Sequence, residues 1–140
     1  MSTSARRPLT EDQSWVLAPL LEVPHVRHAA VVSSDGFVQG RSPELSRESA
    51  EGVAAMLSAL QGAARTTTSA FTGGSADLRQ TVVESAEGWL VAVPAGANAC
   101  LVVFAAPDIN MGVLAHQMHL QVGALGAKAM SSEPRQNAAL

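Results

Sequence analysis

Three apolar segments, Leu78–Glu84, Trp89–Pro94 and Cys100–Ala105, are separated only by the breaks Ser85-Ala86-Glu87-Gly88 and Ala95-Gly96-Ala97-Asn98. That spacing constrains the fold more than any other feature of the chain. Both breaks have turn compositions. Both are too short for the crossover of about a dozen residues that parallel neighbours need. The segments are therefore expected as consecutive antiparallel strands. Upstream, Val26–Ser33 and Phe37–Arg41 flank Ser34-Asp35-Gly36, an Asp-Gly hairpin signal. Ala29-Ala30-Val31-Val32 is apolar on both faces, as in an interior strand with helices on each side.

Helical patterns surround these strands. Thr10 opens a capping box with Gln13, and a short helix over Glu11–Glu22 ends before Pro24. Ser46 caps the longest helix, Arg47–Phe71, with Leu45 placed to staple onto Ala50. Val53, Met56, Leu57, Leu60, Ala64 and Phe71 form its expected core stripe, and Gly73-Gly74 close it. Asp108 is the expected cap of a last helix, Ile109–Met130. The order is α-β-β-α-β-β-β-α: an α+β domain with one five-stranded antiparallel sheet and helices on both faces. At 140 residues this is one domain. It is expected over residues 10–130, after a disordered segment 1–9 and before a flexible polar tail 131–140.

Composition removes several classes of function. Net charge is −3, tyrosine is absent, and no basic block occurs, so a nucleic-acid surface has neither clustered cations nor a stacking platform. No apolar run is long enough to insert into a bilayer, and MSTSARRPLT lacks the apolar core of a secretory signal. The single cysteine, Cys100, leaves no internal disulfide and fits a reducing cytoplasm. His25 and His28 stand three apart in or beside a strand, where side chains alternate, so they diverge. His116 and His119 have a chelating helical spacing, but no nearby Cys, Asp or Glu completes a ligand set. Cys100 starts an apolar strand as an inert thiol does. No serine lies in G-x-S-x-G, and FTGGSAD lacks a P-loop lysine. The chain is expected to be no enzyme, with no catalytic, cofactor or metal site.

The long helix is informative for what it lacks. Gly52–Ala64 carries no charge, and the side placed opposite the expected core stripe consists of Ala55, Ser58, Ala59, Gly62 and Thr66. Either the helix is alanine-rich and merely weakly polar, or a second helix covers this side, most simply its own copy about a two-fold axis. The segment LRQTVVE favours the second reading. It has no proline and only flanking charges, which leaves an edge strand open to pairing. Arg79, Thr81 and Val83 would then join the interface of a symmetric homodimer. On the last helix, Met111, Leu114, Ala115, Met118, Val122 and Leu125 form the core stripe. Val113 and Leu120 lie nearly opposite, where either the first helix or a partner covers them.

Several stretches resemble the Roadblock/LC7 family across about Ser14–Leu125. WVLAPLLEVPHVRHAAVVSSDGFVQGRS is similar to its opening, with L-x-x-V-P-G-V and S-x-D-G. SRESAEGVAAMLSALQGAAR resembles its middle helix, and RQTVVESAEGWLVAVPAGANACLVVFAAPDINMGVLAHQM its Q-T-hydrophobic-hydrophobic-E and D-x-N-x-G end. His25 departs from the pattern where the family has glycine, and a non-glycine there is free to take a different turn. The resemblance implies profilin-like layering and a homodimer that binds a small Ras-like GTPase. The flavour of LLEVPHVRHAAVVSSDG resembles an actinobacterial branch encoded with a membrane sensor-kinase-like protein and a small companion. Those partners would recruit a cytoplasmic protein to the membrane. Arg47, Glu51, Arg65, Val113 and Leu120 are the candidate surface for such partners, and Arg47, Arg65 and Arg79 the candidates for an arginine finger. A small-molecule sensing module is the alternative, against which few polar residues converge on a pocket.

Overall fold

Ser33, Asp35 and Gly36 build the first hairpin through their own hydrogen bonds. The Ser33 hydroxyl donates to Asp35 Oδ1 at 2.5 Å and accepts from the Phe37 N–H at 3.0 Å. Gly36 takes the left-handed conformation that the turn requires, φ 93°. In the computed structural model, which describes residues 13–131, this turn joins β1 (Val26–Ser33) to β2 (Val38–Arg41). Then follow the long helix α2 (Arg47–Thr72), β3 (Thr81–Ser85), β4 (Gly88–Pro94), β5 (Ala99–Ala105) and helix α3 (Met111–Ser131). Ahead of β1, a 3-10 turn at Ser14–Leu17 runs into one α-helical turn, α1 (Ala18–Leu21).

All strand pairs are antiparallel, in the order β2-β1-β5-β4-β3. The sheet has a core on each face. Val31, Val91, Leu101 and Val103 face Val16, Leu17, Leu20, Leu114, Met118 and Leu125 of the 3-10 turn, α1 and α3. Ala30, Val32, Ala92, Cys100 and Val102 face Ala54 and Leu57 of α2. Interior strands β1, β5 and β4 bury both faces, which explains their unbroken apolar runs. The α+β architecture with helices on both faces is the expected one.

Several boundaries differ from the expectation. β3 begins at Thr81, so Arg79 lies in the segment leading into the strand rather than on it. The β3–β4 turn is only Ala86-Glu87, because Ser85 and Gly88 pair. Gly88 is required there: its φ is 150°, and a Cβ would stand 2.2 Å from the Ala105 carbonyl oxygen. Ser46 caps α2 as expected, accepting from Ser49 N–H at 3.0 Å, and Gly73 ends it at φ 78°. The cap of α3 is Asn110, whose Oδ1 accepts from Val113 N–H at 3.1 Å, and not Asp108. Asp108 instead meets His25, Oδ1 to Nδ1, at 3.3 Å. His25, where the family pattern has glycine, takes the left-handed conformation that glycine favours, φ 77°. The Thr10 capping box and segment 1–9 lie outside the described residues, as does the tail beyond Ser131.

The two sheet edges are treated differently. Beside β2, the Gln13 N–H donates to the Gln39 carbonyl at 2.7 Å, and the Arg41 N–H donates to Ser14 Oγ at 3.3 Å. Gly40 permits that approach, since a Cβ there would be 2.8 Å from Ser14 N. The opposite edge is β3, whose only strand neighbour among the described residues is β4.

Candidate functional site

Helix α2 lies on the sheet through Ala50, Ala54, Leu57 and Gln61, spaced by four, three and four residues. Two alanines at the contact let the helix sit close, and they set its rotation. Met56, Leu60 and Phe71 are consequently not core residues, contrary to the expected stripe: Met56 is 72% and Phe71 87% exposed. Val53 and Leu57 do pack against the sheet core. At 100° per residue, Met56 and Leu60 fall on the Val53 flank of the helix, together with Ala63 and Thr67.

The opposite flank meets the first hairpin. Ser58 Oγ donates to the Ser34 carbonyl at 3.0 Å, and a Cβ on Gly36 would touch Ala55 Cα at 3.8 Å. Ser58 is thus engaged within the chain while Ala55 stays exposed beside the hairpin, so the side expected to meet a second helix is not uniform. Ala59 and Thr66 remain on the outward ridge with Gly62 beside them. Arg47, Glu51 and Arg65 share the hairpin flank with Ser58 by helical spacing. Val113 and Leu120, 45% and 50% exposed, lie on α3 across the sheet. The five residues expected as one partner surface therefore divide into two, on opposite faces.

On the α2 face, cross-strand pairing lines up Val83, Leu90, Phe104 and His28 over four strands. Val83 is exposed and the other three half-buried; α2 meets the strands chiefly at β2 and β1, and Leu90 packs against the edge of the core beneath it. Thr81 shares that face, and its buried Oγ1 has no hydrogen-bond partner among the described residues. Sequence periodicity missed Leu90 and Phe104 as surface, since both sit in runs that read as interior. The register signal that could have found them is their alternation with Val91 and Val103.

Cys100 lies beneath α2. Burial pushes its thiol up to about 11, only partly offset by the Gln61 side chain, the Val93 backbone and the Arg65 charge. It is a poor nucleophile at neutral pH. His28 sits on the sheet beside Phe104 while His25 turns to Asp108, so the two are directed apart. Among the described residues, no group of three or more His, Cys, Asp or Glu is placed to hold a metal ion. Among them, no helix is long and apolar enough to cross a membrane.

The sheet order, the helix on each face and the open β3 edge can be set beside known proteins. A model of the Roadblock/LC7 domain matches residues 13–105. The chain belongs to the Roadblock/LC7 family. A solved Roadblock/LC7 domain from Streptomyces avermitilis is 32% identical, with 85% of this chain and 98% of that chain covered and a TM-score of 0.78. MglB of Myxococcus xanthus shares the fold at 15% identity, with 85% of this chain and 94% of that one covered and a TM-score of 0.71. Profilin II of Acanthamoeba castellanii covers 84% of this chain at 17% identity, with 98% of its own chain covered and a TM-score of 0.53, as the profilin-like layering implied. No curated protein matches the chain. The family match ends with β5, so α3 of this Roadblock/LC7 domain rests on the structural likeness alone.

Proposed function

We propose that this Roadblock/LC7 domain acts, without catalysis of its own, as a homodimer that binds and regulates a small Ras-like GTPase. One observation carries the self-association: among the described residues β3 has no strand beyond it, while β2 is closed by Gln13 and Ser14. Hydrogen-bonded pairs alternate along a hairpin closed by a two-residue turn, so Val82 and Glu84 turn N–H and C=O away from β4. A two-fold axis at Val82 sets Val82 against its twin and Gln80 against the partner's Glu84, an amide facing a carboxylate. The sheet then runs on through both copies. Thr81 and Val83 lie at the joint on the α2 side, where Met56 and Leu60 supply apolar cover. Arg79, beside the strand, stands at its rim.

The outward ridge of α2 and its charged hairpin flank stay clear of that joint. Ala59, Gly62 and Thr66, expected from the sequence at the dimer interface, are instead proposed here, with Arg47, Glu51 and Arg65, as the surface for the GTPase. Family membership supports this role, because the Roadblock/LC7 resemblance implies a dimer that regulates such a partner. The mechanism proposed is ordering of the GTPase's own catalytic groups. The sensor-kinase-like membrane protein and small companion belong to the same proposed bacterial system, through which a cytoplasmic dimer would reach the membrane. Titrating the protein with the Ras-like GTPase of its own operon, loaded with GDP or a GTP analogue, tests the reading. Binding in one nucleotide state, lost on Arg65→Glu with the fold intact, is the expected result. Absence of binding in both states overturns it.

A further inference from the structure

We infer that Gln13 and Ser14 form a built-in strap that keeps the β2 edge from pairing with the β2 edge of another copy of this chain. A strand edge is a template for a further strand unless charge, proline, a bulge or a cover guards it. β2 reads Val38-Gln39-Gly40-Arg41, with no proline and no acidic residue. Its one charge is engaged within the chain, because Arg41 Nη1 donates to the Leu45 carbonyl at 2.7 Å. The register shift at Val31–Val32 puts its extra residue at Gln39, yet the Gln39 carbonyl still points outward, as its bond to Gln13 shows. The strap is the guard that remains.

Gly40 lets the strap lie against the strand. A Cβ there would stand 2.8 Å from Ser14 N and 2.9 Å from the Gln13 carbonyl carbon, backbone atoms that cannot swing aside. Two bonds hold the strap: the Gln13 N–H donates to the Gln39 carbonyl at 2.7 Å, and Ser14 Oγ accepts from the Arg41 N–H at 3.3 Å. The hold is light. Gln13 Oε1 is buried with no hydrogen-bond partner among the described residues, which offsets part of the gain. Val16 and Leu17 are fully buried, so a displaced strap leaves the core in place.

The edge beneath the strap fits its own copy. The Ser42 N–H donates to the Ala29 carbonyl at 2.9 Å, which turns Ser42 towards β1, while Gln39 and Arg41 turn outward. A two-fold axis at Gly40 sets Gln39 against the partner's Arg41, carbonyl to N–H. That pairing uses the same two groups that the strap now holds. The glycines meet at the axis with no side chain between the backbones, and no like charges stand directly opposite. Copies joined at β3, as proposed above, carry one such edge at each end. Loss of the strap would therefore link dimers end to end in an open-ended sheet.

Gln13→Pro with Ser14→Ala removes both strap bonds. Gly40→Ala displaces the strap through its Cβ and serves if the first variant fails to fold. Sedimentation equilibrium on the full chain, from low micromolar to about 100 μM, reads the result. The wild type should hold one mass, and the strap variants should exceed it by about twofold or more, rising with concentration. Adding Arg41→Pro, which removes the outward N–H, should return the strap variants to the wild-type mass. Val82→Pro separates this pairing from the β3 joint: in that background the strap variants should stop at twice the 14.4 kDa chain mass. Strap variants that stop there without Val82→Pro, from a wild type of single-chain mass, keep the strap and overturn the β3 joint alone. Folded strap variants that keep the wild-type mass, or larger species that survive Arg41→Pro, would overturn the inference.

Discussion

The Gln13 N–H donates to the Gln39 carbonyl at 2.7 Å, and this short contact occupies an outward-facing acceptor of β2. Together with Ser14 Oγ on the Arg41 N–H, it makes one side of the sheet unavailable to a neighbour. The asymmetry between a closed β2 edge and an open β3 edge directs self-association to one place.

The rotation of α2 separates two leucines three residues apart. Leu57 is buried on the sheet and Leu60 stands on the exposed flank. Leu57→Ala should cost about 3 kcal/mol in urea unfolding, the value for a core leucine. Leu60→Ala should cost less than about 1 kcal/mol in the isolated protomer and act chiefly on self-association.

Gly88 holds β4 against β5. Gly88→Ala drives a Cβ into the Ala105 carbonyl at 2.2 Å and against the Phe104 ring at 2.9 Å. Backbone cannot yield as a flexible side chain does, so a loss of about 3 kcal/mol or more is expected in the same assay. Gly96→Ala is the control. That glycine has φ 78° but open space, and should lose only about 1 kcal/mol.

Cys100 makes stability depend on alkaline pH. Its thiol titrates near 11 when folded and near 9.0 when unfolded. Raised folded pKa means that the unfolded chain releases the proton first, so the contribution is complete below pH 9 and is lost as pH rises through 11. Unfolding free energy should fall by about 2 kcal/mol over that window, and Cys100→Ala should flatten the curve. The same burial should slow alkylation of the native thiol at pH 8 by about a hundredfold relative to the denatured chain.

His25 carries a side chain at φ 77°, where glycine is favoured. Its contact with Asp108 joins two solvent-exposed side chains and offsets little of that strain. His25→Gly should raise the melting temperature, by an equivalent of about 1 kcal/mol, while Asp108→Ala should leave it nearly unchanged.

What the sequence made legible follows the strength of local signals. Asp35-Gly36 and Ser46 each fix a boundary through hydrogen bonds made within a few residues, and both formed as read. The short breaks around Ala86 and Gly96 forced antiparallel order for the same local reason. The phase of α2 was hidden because apolar residues occupy two flanks. The flank that meets the sheet is built from Ala50, Ala54 and Gln61, which carry almost no hydrophobic signal. Asn110 and Asp108 are equally good caps on paper, and the pull of His25 on Asp108 is a tertiary contact. The partial burial of Leu90, Phe104 and His28 depends on how far α2 reaches across the sheet, which no local pattern encodes.

The mass of the wild-type chain at low micromolar concentration, measured beside Val82→Pro and Met56→Arg, tests the open edge most directly. Proline at Val82 removes an outward N–H without touching the β4 ladder, so it should break the joint and spare the fold. The expected result is twice the 14.4 kDa chain mass for wild type and the single-chain mass for both variants. A wild-type chain at 14.4 kDa, or folded variants that stay at twice that mass, would contradict pairing at β3.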